Sequence, residues 1–145
     1  MKRRQFLSLA GAAWISPLAA HAQQAGQVRR VGAVLALSEQ DAEVQVRIAA
    51  FRKELERLGW SEGRNLRVEY RWAGADPELA RTYAAELVAQ KPDVIFAAPT
   101  SMAAAVKRET RSIPIVFAQV ADPVASGLVN SFAHPGGNIT SYAGI

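Results

Sequence analysis

The stretch Ile113-Pro-Ile-Val-Phe-Ala-Gln-Val120 decides the fold, and it runs directly into Ala121-Asp-Pro-Val-Ala-Ser-Gly-Leu128. An apolar run bounded by proline is typical of an interior strand of a parallel sheet. The residues behind it suit a helix start, because Asp122 can cap the first turn and Pro123 fits within that turn. We therefore predict a strand over 113–120 and a helix over Pro123–Phe132, which the Pro-Gly-Gly at 135–137 ends.

Upstream of this stretch, segments typical of strands alternate with segments typical of helices. The predicted strands are Val28–Leu37, a half-exposed edge strand Asn65–Trp72 and the buried Asp93–Ala98, with a last strand downstream around Ile139–Tyr142. Such alternation indicates an α/β fold with a doubly wound parallel sheet of about five strands and right-handed crossovers. The predicted strand order is 2-1-3-4-5, with the third strand beside the first.

Three helices are predicted between these strands. The first follows Ser38-Glu-Gln-Asp41, which is close to a capping box, and ends at Gly59. It carries an apolar stripe that we assign to the core, and the stripe consists of Val44, Ile48, Phe51, Leu55 and Leu58. The second helix begins at Asp76-Pro-Glu78 and closes at Pro92. The third is a short alanine-rich helix that Thr100 caps and that ends near Thr110.

The N-terminal residues 1–22 have the layout of a signal peptide. Lys2, Arg3 and Arg4 precede a moderately apolar, alanine-rich segment, and Ala20-His-Ala22 offers the small residues that a signal peptidase reads. Cleavage after Ala22 leaves an exported chain of residues 23–145. Arg3-Arg4-x-Phe6-Leu7 fits the twin-arginine pattern, while the general secretion route stays open as the alternative.

Composition excludes several classes of function. The chain has no cysteine, which excludes disulfides, cysteine-ligated metals and lipid attachment at a leader cysteine. Of its 17 basic residues three lie in the leader, which leaves 14 against 13 acidic residues. Nucleic-acid binding needs a concentrated basic face, whereas these cations are scattered among glutamates. We therefore expect no nucleic-acid partner.

The topology selects three loops for a binding site. Ligands of an open α/β sheet bind beyond the carboxyl ends of the strands, near the point where the strand order reverses. Each selected loop precedes a helix, whose free N–H groups and positive dipole end suit a carboxylate or another anionic group. The side chains that we predict to bind ligand there are Ser38, Thr100, Ser101, Gln119 and Asp122. Helix capping is the competing role for Thr100, Ser101 and Asp122. No Lys or Arg lies in these loops, which favours a neutral or zwitterionic solute over a phosphate.

The sequence contains little that indicates a catalytic site. The first strand–helix turn, Ala36–Asp41, has neither of the glycine-rich patterns that cradle nucleotide phosphates. The exported chain keeps one histidine, His134 in a proline-glycine turn, and no nucleophile elbow accompanies it. One histidine without cysteine makes a zinc site improbable. We expect no enzyme, no cofactor and no metal, and the alternative is a small exported flavodoxin-like or Rossmann-like enzyme.

The opening stretch also resembles a known family. The matching residues are Ile113–Ala118, Asp122–Val124, Gly127–Val129 and Pro135–Thr140, with Ser141 where the family usually has glycine. This pattern is similar to that of the substrate-binding proteins of ABC importers, in the branch that contains the tryptophan and tyrosine uptake receptors. Receptors of this family use the hydroxyl-bearing loop before the third helix to hold ligand. That loop often reads Gly-Thr-Pro in the family, and this chain has Pro99-Thr100-Ser101.

The resemblance implies a type I periplasmic-binding-protein-like lobe, located in the periplasm, of a solute-binding component of an ABC transporter. Such receptors grip the solute between two lobes that close about a hinge. Residues 23–145 correspond to the N-terminal lobe, and the implied partners are a small solute such as an amino acid, an ABC permease in the inner membrane and the missing second lobe. With half of a site, the chain alone is expected to bind weakly or not at all. A non-functional truncated fragment is a further alternative.

Overall fold

The computed structural model describes residues 26–141, in which the predicted alternation of strands and helices is present. The elements, in chain order, are β1 (Arg29–Leu35), α1 (Ala42–Arg57), β2 (Leu66–Trp72), α2 (Pro77–Ala89), β3 (Val94–Ala98), α3 (Thr100–Glu109), β4 (Ile115–Phe117) and β5 (Ile139–Ser141). The predicted leader and the predicted strand end at Tyr142 lie outside the described residues. Among the helices of residues 26–141, none has the length and apolar character that crossing a bilayer requires.

The five strands form one parallel sheet in the order β2-β1-β3-β4-β5, as predicted. The strand predicted over 113–120 is shorter, because Pro114 has no N–H to donate at one end and Gln119 leaves the extended region at the other, with φ of 58°. The register aligns residues in rows across the sheet, and each row faces one side because side chains alternate along a strand.

Two of the predicted helix caps are wrong. Asp41, not Ser38, caps α1, because its Oδ1 accepts a hydrogen bond from the Glu43 N–H at 2.9 Å. The Ser38 carbonyl instead accepts from the Asp41 N–H at 3.2 Å, in a turn before the helix. Thr100 is the first residue of α3 rather than its cap, and the cap position is Pro99, with no side-chain hydrogen bond.

The predicted helix Pro123–Phe132 is a single capped turn. The Asp122 Oδ1 accepts from the N–H groups of Val124 and Ala125 at 3.1 and 2.8 Å, as a cap does. The turn then closes at once, because Gly127 has φ of 70° and the Leu128 N–H reaches the Pro123 carbonyl at 2.9 Å. This arrangement is a Schellman motif, which ends a helix at its left-handed residue. The prediction was wrong because it placed the end at residues 135–137 and missed this glycine.

The main core lies on the sheet face that α2 and α3 cover. It contains side chains from both helices, from β1, β3, β4 and β5, and from the segment after the capped turn, including Leu87, Val106, Ile95, Phe117 and Leu128. The helix α1 lies on the opposite face, where Phe51 stacks on Phe96 with ring centroids 6.0 Å apart. Only Val44 of its apolar stripe is buried; Ile48, Phe51 and Leu55 are half-buried, and Leu58 is 58% exposed.

Candidate functional site

The carboxyl ends of the strands meet at one edge of the sheet, and backbone hydrogen bonds join the loops that leave it. The Ala36 N–H after β1 donates to the Ala98 carbonyl of β3 at 3.1 Å. The Ala118 N–H after β4 donates to the Ala97 carbonyl at 3.2 Å. All five predicted binding residues follow one of these three strands. The structure therefore places Ser38, Thr100, Ser101, Gln119 and Asp122 at the same edge.

The N-terminus of α3 offers several hydrogen-bonding groups at this edge. Because Pro99 offers no side-chain cap, the N–H groups of Thr100 and Ser101 donate to no atom of residues 26–141. Their hydroxyls likewise have no hydrogen-bond partner within that part of the chain. Thr100 is half-buried and Ser101 is exposed. Two N–H groups and two hydroxyls at a positive dipole end can hold a carboxylate or a carbonyl oxygen.

Gln119 and Asp122 both follow β4, but they differ in how far they are free to bind. Gln119 is exposed, and its side chain makes no hydrogen bond within residues 26–141. It also holds a left-handed backbone conformation that residues other than glycine rarely adopt, which is a frequent property of functional loops. Asp122 uses one carboxylate oxygen as the cap of its turn, so its second oxygen is the one available to a ligand.

Ser38 lies in the loop after β1 and is the first of the five predicted binding residues along the chain. Its hydroxyl donates to Gln40 Oε1 at 2.6 Å and accepts weakly from the Gln40 N–H at 3.4 Å. The residue is exposed and helps line a shallow recess of about 320 Å³ between the loops after β1 and β2. Ser38 is therefore presented to solvent, with its hydroxyl already engaged within its own loop.

The loop after β2 belongs to the same edge, and the sequence analysis missed it. Trp72, Ala73 and Gly74 line the recess beside Ser38, and the Ala73 N–H donates to the Leu35 carbonyl at 2.8 Å. The signal that identifies this loop is the predicted strand order itself. A second strand parallel to the first and next to it must end at the same edge, so its loop adjoins the loop after β1.

An apolar groove of about 150 Å³ opens beside the site, between α1 and the sheet. Gln119, Ala98 and Ala118 lie along it at the carboxyl edge, and Ile48, Phe51 and Phe96 are among its apolar lining residues. Arg47 also lines the groove, and Glu43 pairs with its guanidinium at 2.5 Å. The loops themselves carry Glu39 and Asp122 and no cation, which suits a solute with no net negative charge.

Among residues 26–141 there is no group of three His, Asp or Glu side chains placed to hold a metal ion. The turn between β1 and α1 has Ala36, Leu37 and Ser38 where a nucleotide-binding loop would need glycines. The five predicted binding side chains at this edge comprise three hydroxyls, one amide and one carboxylate. Such a set is suited to holding a solute by hydrogen bonds.

Sequence comparisons agree with this geometry. Residues 30–143 match the sequence profile of a family described as "ABC transporter substrate binding protein". A tyrosine-binding protein of Clostridioides difficile is 38% identical over 90 residues, which make up 62% of this chain and 26% of that protein.

Solved structures show the same fold. A conserved domain protein from Vibrio cholerae has a TM-score of 0.73 at 30% identity. The ligand-free, open structure of a substrate binding protein with adhesive properties from Clostridium difficile has a TM-score of 0.72 at 31% identity. A Streptococcus protein in complex with L-Trp has a TM-score of 0.72 at 21% identity, and this likeness shows the fold alone.

Each of these three structures matches 79% of this chain and 38% of its own length. The chain therefore spans well under half of the relatives that it matches. The family profile, by contrast, covers nearly all of the described residues, and it confirms the resemblance seen in residues 113–141. The chain belongs to the family of ABC transporter substrate binding proteins.

Proposed function

We propose that this chain is the N-terminal lobe of a solute receptor, which binds a small neutral or zwitterionic solute such as an amino acid. The observation that carries this proposal is the open N-terminus of α3, where Thr100 and Ser101 each offer an N–H and a hydroxyl without a partner in residues 26–141. A solute carboxylate at these groups would gain charge-assisted hydrogen bonds. Gln119 and the free oxygen of Asp122 would hold the rest of its polar part, with Ser38 at the far side.

In this chain the proposed binding site is bounded on one side only, by the carboxyl edge of the sheet. The edge faces solvent, and a solute held there would keep much of its surface in water. Receptors that close two lobes about a hinge bury the solute between two such edges. The relatives' extra length supports a second lobe that supplies the opposite wall. Residues 23–145 would thus form half of the binding site. The complete receptor would deliver its solute to an ABC permease.

Calorimetry on two proteins tests this proposal. The first is the exported chain, residues 23–145, titrated with a panel of amino acids. The second is a fusion in which Ser141 is followed by the polypeptide that succeeds the matched region in the C. difficile tyrosine-binding protein, titrated with L-tyrosine. We expect no measurable heat from the first protein and saturable binding by the second. Tight binding by the exported chain alone would overturn the half-site proposal.

Substitutions in the fusion test whether the carboxyl edge of the sheet binds the solute. Replacing Thr100 with Val and Ser101 with Ala removes two hydroxyls, and we expect at least a tenfold loss of affinity, since each buried hydrogen bond contributes about 1 kcal/mol. Thr82→Val, which removes an exposed hydroxyl from α2, is the matched control and should leave the affinity unchanged. A flavin or nicotinamide that copurifies with the protein would favour the enzyme alternative instead.

We further propose that residues 1–22 direct the chain to the periplasm. Mass spectrometry of the exported protein should give an N-terminus at Gln23. Changing Arg3 and Arg4 to Lys should block export if the route is the twin-arginine one, and should leave export intact if it is general secretion.

A further inference from the structure

Lys107, in the last turn of α3, contacts the chain that follows β4. Its Nζ donates to the Gly127 carbonyl at 2.5 Å and to the Leu128 carbonyl at 3.1 Å. Because the donor is an ammonium group, both hydrogen bonds are charge-assisted, and such bonds are stronger than those between neutral groups. The contact therefore joins α3 to a segment that lies 20 residues further along the chain.

The two carbonyls belong to the end of the capped turn that begins at Asp122. At its start, the Asp122 Oδ1 accepts from the N–H groups of Val124 and Ala125. At its end, the Leu128 N–H donates to the Pro123 carbonyl at 2.9 Å. Hydrogen bonds within one short turn thus link the ammonium group of α3 to the Asp122 carboxylate.

The Lys107 side chain supplies the polar attachment of this turn. In the part of the chain that the structure describes, no other side chain from outside residues 122–129 forms a hydrogen bond with them. Asp122 is exposed, while Pro123 and Leu128 are buried and hold the turn against the lobe. The two ammonium hydrogen bonds set its direction, because hydrogen bonds are directional whereas apolar contacts are not.

The neighbouring Arg108 makes no such contact. It is exposed, and it forms no hydrogen bond or ion pair with any described residue, whereas Lys107 is half-buried. Both cations lie in the last turn of α3, where either is favourable beside the negative end of the helix dipole. The helix end alone therefore does not account for the contact that Lys107 makes.

We propose that Lys107 is a positioning residue, which fixes the capped turn relative to α3 and thereby sets Asp122 relative to the open N-terminus of that helix. Since α3 is one continuous helix of 10 residues, it carries the open N–H groups at its start and the anchor of the turn at its end. A solute that contacts both the helix N-terminus and Asp122 gains affinity when their separation is already set before it binds. The effect on solute affinity rests on the proposed function, whereas the anchoring of the turn does not.

Amide hydrogen exchange, measured by NMR on the exported chain, tests the anchoring without any solute. Lys107→Met removes the ammonium group and keeps an unbranched side chain, and Arg108→Met is the matched control. We expect Lys107→Met to speed exchange of the Ala125 and Leu128 amides by about tenfold or more, because two charge-assisted hydrogen bonds are lost. The Ala125 amide resonance, which reports the hydrogen bond to Asp122, should shift as well. Arg108→Met should leave exchange and resonance unchanged.

Two results would overturn the anchoring. Unchanged exchange and an unchanged Ala125 resonance in Lys107→Met would show that the turn keeps its place without the ammonium group. Equal acceleration at the Ile95 amide, which donates to the Pro114 carbonyl within the sheet, would show a loss of overall stability in place of a local effect.

Calorimetry on the tyrosine-binding-protein fusion described above then tests the effect on solute. We expect Lys107→Met to weaken L-tyrosine binding by about fivefold or more, and Arg108→Met to leave it unchanged. If the unsubstituted fusion does not bind L-tyrosine, the proposed function fails, while the exchange measurement still decides the anchoring. Equal binding by the unsubstituted and the Lys107→Met fusions would overturn the positioning role at the site.

Discussion

A pair of reciprocal hydrogen bonds between Asp93 and Arg30 clamps the starts of β3 and β1 together. The Asp93 carboxylate accepts from the Arg30 backbone N–H at 2.8 Å, and the Asp93 N–H donates to the Arg30 carbonyl, also at 2.8 Å. The Arg29 guanidinium adds an ion pair at 3.1 Å. The Arg30 backbone hydrogen bond, and then the Arg29 guanidinium, hold the pKa of Asp93 below its ordinary value. The clamp lies at the amino edge of the sheet, opposite the proposed binding edge.

Because the pKa of Asp93 is lowered in the folded state, its charge stabilises the fold above the unfolded pKa of about 3.9. The stabilisation is lost as the pH falls through the folded value. We expect Asp93→Asn to lower the free energy of unfolding by about 1 kcal/mol at pH 7, a modest amount for a partly exposed group. Urea denaturation from pH 7 down to about pH 3 should show this difference shrinking. A difference that stays constant over that range would contradict the role of the charge, and Glu56→Gln on the exposed side of α1 is the control.

Tyr70 predicts a pH effect at the alkaline end. Burial, and then its hydrogen bond to Glu62 at 3.0 Å, raise the pKa of Tyr70 to about 12. A raised folded pKa stabilises the protein below the ordinary value of about 10, and this stabilisation is lost as the pH rises toward 12. Ultraviolet titration should therefore show a late tyrosine ionisation that Tyr70→Phe abolishes. Glu62→Gln should move that step to lower pH, and a late step that survives Tyr70→Phe would refute the assignment.

Gln119 offers a test of backbone strain at the proposed site. Its φ of 58° costs a residue other than glycine about 1 kcal/mol or more, while glycine adds about 0.5–1 kcal/mol of chain entropy. Gln119→Gly should therefore leave the free energy of unfolding unchanged or raise it by up to about 1 kcal/mol. Gln90→Gly, at a right-handed position with φ of −76°, should instead lower it by about 1 kcal/mol. Equal losses in chemical denaturation would show that no strain is relieved at Gln119.

The strand order was predictable because the periodicity along each segment is strong. The runs at 94–98 and 115–117 are apolar on both faces, β2 alternates as an edge strand does, and Asp76-Pro77 marks a helix start by a local mechanism. These signals concern single segments, and the right-handed crossover rule then leaves few arrangements. The placement of the three predicted loops at one edge follows from the parallel order and needs no further information.

The sequence analysis missed two backbone conformations with positive φ. Gln119 ends β4 early with a positive φ that glutamine rarely adopts. Gly127 closes a helix after one turn, although the apolar residues beyond it read as a continuation. We predicted that the apolar stripe of α1 lies in the core. A helix on a sheet face is buried, however, only where other elements pack beside it. Beside α1 the described chain provides no such neighbour.

Two adjacent buried residues of β1 allow the packing on the two faces of the sheet to be compared. A methyl group added at Gly32 would lie 3.2 Å from Leu87 Cδ2 and 3.5 Å from Ile95 Cγ1, so the larger Gly32→Val overpacks a filled core and should cost about 1–3 kcal/mol. Ala33 is buried, points to the other face and lines the groove of about 150 Å³. Ala33→Val should therefore be neutral or stabilise the fold by up to about 1 kcal/mol, since it fills space with apolar atoms. Urea denaturation of both variants gives the comparison, and a loss from Ala33→Val as large as that from Gly32→Val would mean that the groove is closed in solution.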